Sequence, residues 1–166
     1  AIDLVNKERR EQGVAPLTVN TLLNQAAEAK ADDMIKNDYF AHTSPIGETP
    51  WHWLKQAGYS YRTAGENLAL NYDDAKEQHE AWMKSTTHRA NILNGRFDEI
   101  GMATRHGKIN GKNATITVQL FGSQRSAALA KTSAPAKEIP EKAIRGAETK
   151  LEPAVVIQAA PVLPVI

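Results

Sequence analysis

The chain has 166 residues and no cysteine, so any chemistry falls to imidazole, carboxylate, hydroxyl or a bound metal. The absence of cysteine also excludes disulfides, zinc fingers, a thiol nucleophile and iron–sulfur ligation together. Of the five histidines, two sit in specific surroundings. His42 lies in Tyr39-Phe-Ala-His-Thr-Ser-Pro45, where the chain turns after a long helical pattern. His88 lies in Trp82-Met-Lys-Ser-Thr-Thr-His-Arg-Ala-Asn-Ile-Leu93, on or beside a short helix. Between them Gly65-Glu-Asn-Leu-Ala69 sets a carboxylate beside a glycine in an extended stretch. Ser85 and His88 are three apart, so on a helix they could touch, and with Glu66 they would outline a Ser-His-Glu hydrolase. Against that, there is no nucleophile-elbow sequence, and a serine before a helix is commonly its N-cap. Ser44, in the turn after His42, is a weaker candidate of the same kind. Each residue also has a structural reading. His42 could complement a helix C-terminus, Glu66 could accept buried backbone N–H groups, and Asn67 could satisfy nearby main chain. His52, His79 and His106 lack supporting neighbours and read as surface or packing residues.

These residues need elements to hold them. Ile2 to Gln12 reads as a helix stopped by Gly13. Asn20 is a candidate N-cap for a longer helix whose Leu22, Leu23, Ala26, Ala27, Lys30, Met34 and Ile35 form one buried face. Thr49-Pro50 opens a third helix, with Gly58 past its end. Thr63 to Leu70 is extended. Asp73 can cap a helix carrying Ala75, His79, Trp82 and Met83, and a short helix follows from about Thr86 to Leu93. Arg89 and Asn91 are expected to pin that helix to the strand after it. Two strands, Glu99 to His106 and Ala114 to Phe121, flank an Asn110-Gly111 hairpin signal. On the second strand Ile116, Val118 and Leu120 share one face, and Thr115, Thr117 and Gln119 the other. Helices early and antiparallel strands late predict an α+β fold and exclude a doubly wound parallel one.

Composition divides the chain. All ten aromatic residues fall between Tyr39 and Phe121, and five of the eight prolines fall in the last 44 residues. Such a tail cannot bury enough apolar surface to offset the entropy of ordering it. Residues 1–122 are therefore expected to fold and 123–166 to form a flexible Pro/Ala-rich linker or tail. The apolar, proline-interrupted stretch from Glu152 to Ile166 reads as a spacer, or as a segment that docks on a sheet edge or groove of this chain or a neighbour. The net charge of +1 conceals 14 basic against 15 acidic residues before Ser123. That balance argues against nucleic-acid binding. No run of apolar residues is long enough for a transmembrane helix. The chain starts without Met or a charged-then-apolar leader, which reads as a processed or trimmed chain.

Phe40-Ala-His-Thr-Ser-Pro45, Gly65-Glu-Asn67, Trp82-Met-Lys-Ser-x-x-His-Arg-x-Asn-Ile-Leu93 and Ile100-Gly-Met, in this order and with these gaps, resemble the CAP superfamily: cysteine-rich secretory proteins, antigen 5 and pathogenesis-related 1 proteins. The resemblance spans the domain from Leu4-Val-Asn-Lys-Glu-Arg to Phe121 and is nearest to the disulfide-free bacterial branch of SCP-like extracellular proteins. It implies a three-layer α-β-α sandwich with a central antiparallel sheet, an open cleft, and an extracellular or cell-surface location. It further implies that His42 and His88 converge in the cleft with Glu66 and can hold a divalent metal, commonly zinc. The family's second acid falls three residues after the tryptophan, where this chain has Ser85; any mechanism needing two carboxylates is thereby weakened.

Two imidazoles supply half of a tetrahedral zinc shell. Glu66 could be a third ligand, a partner that orients an imidazole, or a base on metal-bound water. Such a site would bind weakly and release its metal below about pH 6, as imidazoles protonate near their reference value of roughly 6.5. The thin ligand set and missing acid favour a binding module whose cleft takes a peptide, lipid, glycan or protein. A metal-assisted hydrolase with Glu66 as base, and a structural or adhesive module tethered through the tail, are the alternatives.

Overall fold

The computed structural model describes residues 1–124 and, farther along, the two-residue strand Ile157–Gln158. The elements run α1 (Ile2–Glu11), β1 (Thr18–Val19), α2 (Thr21–Lys36), α3 (Pro50–Gln56), β2 (Tyr61–Leu70), α4 (Ala75–Lys84), α5 (Thr86–Ile92), β3 (Glu99–Ile109), β4 (Lys112–Gln124) and β5 (Ile157–Gln158). The strands lie in the order β1-β3-β4-β2-β5. The three long ones, β3, β4 and β2, pair antiparallel, while the short flanking strands β1 and β5 join in parallel. The central sheet is thus antiparallel as expected, with parallel margins; β5 lies in the stretch that the sequence offered as a segment docking on a sheet edge.

Helices cover both faces. On one, Leu23, Ala26, Ala27, Ala31 and Met34 of α2 and Trp53 and Leu54 of α3 pack on Leu68, Ile116, Val118 and Leu120. On the other, Val5 of α1, Trp82 of α4 and Ile92 of α5 pack around Phe97, Ile100, Ala69 and Phe121. Each fully buried Leu or Ile in these layers stabilises by about 1.5–3 kcal/mol. The second face of β4 is therefore also interior: Thr117 and Gln119 are buried, although their polarity suggests a solvated face.

Local signals account for most boundaries. Asn20 Oδ1 accepts from the N–H groups of Leu22 (2.8 Å) and Leu23 (3.4 Å), capping α2. The cap of α4 is Asp74 and not Asp73, since its Oδ1 accepts from Lys76 (2.8 Å) and Glu77 (2.9 Å). Asn110 and Gly111 both have positive φ, 51° and 74°, as a two-residue hairpin turn of this twist requires. Both hairpin strands extend beyond their expected ends, to Ile109 and Gln124. The reading of residues from 125 onward as a flexible linker lies outside the described residues, apart from β5.

Candidate functional site

The site lies on β2, the last long strand of the sheet. Because side chains alternate across a strand, Glu66 and Asn67 point to opposite helical layers. Glu66 faces the α2 layer, where Oε1 is 2.6 Å from Nδ1 of His42. Glu66 is 1% exposed and the His42 side chain 13%. Burial pushes the Glu66 carboxyl above its ordinary pKa; the His42 hydrogen bond and the nearby charge of Lys30 oppose that rise. Its second oxygen, Oε2, is buried without a hydrogen-bond partner among the described residues.

Lys30 explains how the His42 turn is held. The sequence places this lysine on the buried face of α2, and it is fully buried there. Its ammonium donates to the His42 carbonyl (2.9 Å) and to the Tyr39 hydroxyl (3.2 Å). It also lies over the rings of Trp53 (4.2 Å) and Tyr39 (5.0 Å), a cation–π arrangement. Burial lowers its pKa, with Glu66, Asp33 and Glu48 pulling the other way. Tyr39 in turn donates to Asp33 Oδ2 at 2.6 Å. Ser44 is buried and closes the same turn: Glu48 N–H donates to its Oγ (3.0 Å), and its own N–H donates to the Glu48 carbonyl (2.9 Å). It serves the loop main chain.

Asn67 faces the other layer and ties α5 to the sheet. Its Nδ2 donates to Gln119 Oε1 (3.0 Å) and the His88 carbonyl (3.3 Å), and its Oδ1 accepts from Asn91 Nδ2 (2.9 Å). Asn91 Nδ2 also donates to the Glu66 carbonyl (3.0 Å). Asn91 thus pins α5 to the preceding strand β2, not to the strand that follows, because the sheet order brings β2 beside the helix. Arg89 is exposed. Gln119 joins this network unannounced by the sequence; its register opposite Asn67 is the signal, and it requires knowing the pairing.

His88 is buried under Trp82, ring centroids 6.5 Å apart. Its Nδ1 is 2.7 Å from Ser85 Oγ, so the expected contact at a spacing of three is made. Ser85 occupies the N-cap position of α5 without a side-chain capping bond, its hydroxyl turned instead to His88 and to Thr87 (3.3 Å). Burial, then the charge of His42, pushes the His88 pKa down to about 4. Its Nε2 is buried without a hydrogen-bond partner among the described residues. A Ser85-His88-Glu66 relay is not assembled, because the carboxylate is bonded to His42.

The remaining histidines divide as their surroundings suggest. His52 pairs with Glu48 (3.2 Å) on the surface and His106 contacts Thr115 (3.1 Å), while His79 is buried with a lowered pKa. Trp53 and Trp82 are core residues. A separate groove lined by Glu48, Trp51, His52, Tyr59 and Tyr61 contains none of His42, Glu66 and His88.

The profile of the Cysteine-rich secretory protein family, CAP, matches residues 2–121. The chain belongs to the CAP family. Among curated relatives, the Bacillus subtilis (strain 168) protein YkwD is 44% identical over 101 residues, 61% of this chain and 39% of that protein. The matched part thus spans well under half of that relative. An extracellular protein containing an SCP domain from Bacillus anthracis superposes with a TM-score of 0.64 at 28% identity, over 74% of this chain and 39% of that one. An outer surface protein of Borrelia burgdorferi shares the fold, with a TM-score of 0.65 at 24% identity over 75% of this chain and 90% of that one. The α-β-α sandwich of this CAP domain accords with these likenesses, which are to bacterial proteins. No helix among the described residues is long and apolar enough to cross a membrane.

Proposed function

We propose that this CAP domain is an extracellular or cell-surface binding module whose cleft, flanked by His42 and His88, can recruit a divalent metal such as Zn2+. The location is carried over from relatives described as extracellular and outer surface proteins. The observation that carries the site assignment is the 2.6 Å contact between Glu66 and His42 Nδ1. A carboxylate accepting from Nδ1–H selects the tautomer with its lone pair on Nε2, the arrangement that orients histidine toward a metal. On the other wall, the buried Nε2 of His88 lacks a protein partner among the described residues and belongs to an imidazole that stays neutral at physiological pH. An imidazole oriented by a carboxylate and a second one kept neutral fit a divalent metal, and His42 and His88 would hold it. Bound there, the ion would offer Lewis-acid anchorage to an oxygen or nitrogen of a ligand.

Binding is favoured over hydrolysis by the engagement of Glu66. The carboxylate is spent orienting an imidazole, Ser85 replaces the second acid, and no group of three or more His, Asp or Glu among the described residues could hold a metal. Zinc titration by calorimetry tests the reading. One weak site is expected, abolished in His42→Ala and weakened about 10–100-fold in Glu66→Gln. Zinc affinity unchanged in His42→Ala would refute it, and zinc-dependent peptide or ester turnover lost in Glu66→Gln would replace it with the hydrolase.

A further inference from the structure

The candidate site and the C-terminal segment meet at one sheet edge. β2 pairs with β4 along one side, and on its other side Gly65 and Glu66 are in parallel register with Ile157 and Gln158. This is the point where the Glu66 side chain holds His42 and the Glu66 carbonyl accepts from Asn91 of α5. Both β2 and α5 lie against β5. Around that pair the sequence reads Pro153-Ala-Val-Val-Ile-Gln-Ala-Ala-Pro161, seven residues without proline or charge, three of them consecutive and β-branched. Each of the seven carries an N–H for a ladder, and the β-branched run favours extended backbone. The bounding prolines stop the run, so the added strand does not become a template for more strands.

We propose that the outer edge of β2 at Gly65–Glu66 is a strand-acceptor site for extended, uncharged, β-branched peptides, with the segment of this same chain that carries Ile157 and Gln158 as its resident occupant. The inference rests on the binding-module reading and names its ligand class: a peptide recognised through main-chain hydrogen bonds, with side chains at alternate positions supplying selectivity. The resident strand pairs with β2 at Glu66 and lies against α5, the helix that carries His88, so an incoming peptide must displace it. A two-residue ladder opens at little cost, which suits a segment meant to exchange.

Hydrogen exchange measured by NMR on the full chain tests the proposal. The Gly65, Glu66 and Asn67 amides are followed in the native chain and in Ile157→Pro, which removes one N–H and disfavours parallel pairing. Amides on the β3–β4 ladder report that the fold is intact. At least one edge amide is expected to lose about tenfold in protection in Ile157→Pro. A synthetic peptide of sequence Ala-Val-Val-Ile-Gln-Ala-Ala, added in excess, should restore it. Equal protection in the two chains, or no response to the peptide, would overturn the proposal. Protection that appears only with dimer formation at high protein concentration would assign the strand to a second copy and overturn the intramolecular occupant. Zinc binding retained in a chain that ignores the peptide would sink the acceptor site and leave the binding-module reading standing.

Discussion

Arg9 is fully buried and places its guanidinium against four carbonyl groups: Ala15 (2.7 Å), Ile92 (2.8 Å), Asn94 (3.0 Å) and Phe97 (3.2 Å). Three of these lie at or just after the end of α5, the helix that carries His88, so one side chain of α1 anchors the exit of a site helix. Arg9→Met keeps most of the aliphatic stem and removes every donor. Hydrogen bonds to a charged group contribute about 1.5–3 kcal/mol each, but four bonds from one head are not additive. Removing the guanidinium returns part of its desolvation cost, the same burial that lowers its pKa. It also leaves the buried carbonyls of Ile92 and Phe97 short of a donor. The balance is a loss of about 3–4 kcal/mol, from the lost charge-assisted hydrogen bonds and about 1–3 kcal/mol for each buried carbonyl left unsatisfied. Against a total of about 5–15 kcal/mol the variant remains folded but marginal. Arg9→Lys keeps the charge but replaces the planar fork with a point donor, and should recover about half of the loss. Urea titrations followed by tryptophan fluorescence measure both. A loss below about 1 kcal/mol in Arg9→Met would refute this account of α5 anchorage.

Two further outcomes are expected. A Cβ added at Gly101 would lie well inside van der Waals distance of the Leu23 carbonyl carbon and the Asn24 nitrogen, so α2 must lift from β3 in Gly101→Ala; a loss of at least about 3 kcal/mol in thermal or urea unfolding is expected, and a near-neutral change would show that the helix can shift freely. The His88 pKa of about 4 lies below the reference value of roughly 6.5 for an unfolded chain, so between these values the unfolded state binds a proton that the folded state does not. Metal-free stability therefore falls as pH drops through this window and the His88 contribution flattens below it. The share is at most about 3 kcal/mol, measured as the difference between wild-type and His88→Asn curves; parallel curves would show that His88 protonates freely in the fold.

The sequence made the site residues visible one by one, because each sits beside punctuation with local causes: the turn after α2, the Gly-Glu-Asn segment and the short helix after Trp82. Lys30 shows how far periodicity reaches. Its place on the apolar face of α2 was legible, but its partners Tyr39 and His42 come from the following turn, which no periodicity describes. Arg9 and Gln119 were silent for a related reason. Arg9 bonds to carbonyl groups more than 80 positions away for three of its four contacts, and Gln119 is polar on a strand whose second face is covered only once α4 and α5 dock. β1 and β5 are two residues each, too short for alternation to register. The displacement of the α4 cap from Asp73 to Asp74 is a choice between adjacent equivalent residues, decided by which backbone enters the helix extended.

The opposite orientations of Glu66 and Asn67 have a mechanical consequence. His42 belongs to the layer anchored through Lys30, and His88 to the layer anchored through Asn67, Asn91 and Arg9. A ligand or ion gripping both histidines would act as a cross-brace around the β2 margin of the sheet, coupling two shells that pack on its opposite faces. Occupancy would then be felt as resistance to peeling either shell away, and partial unfolding of one shell would release the ligand long before the sheet itself came apart.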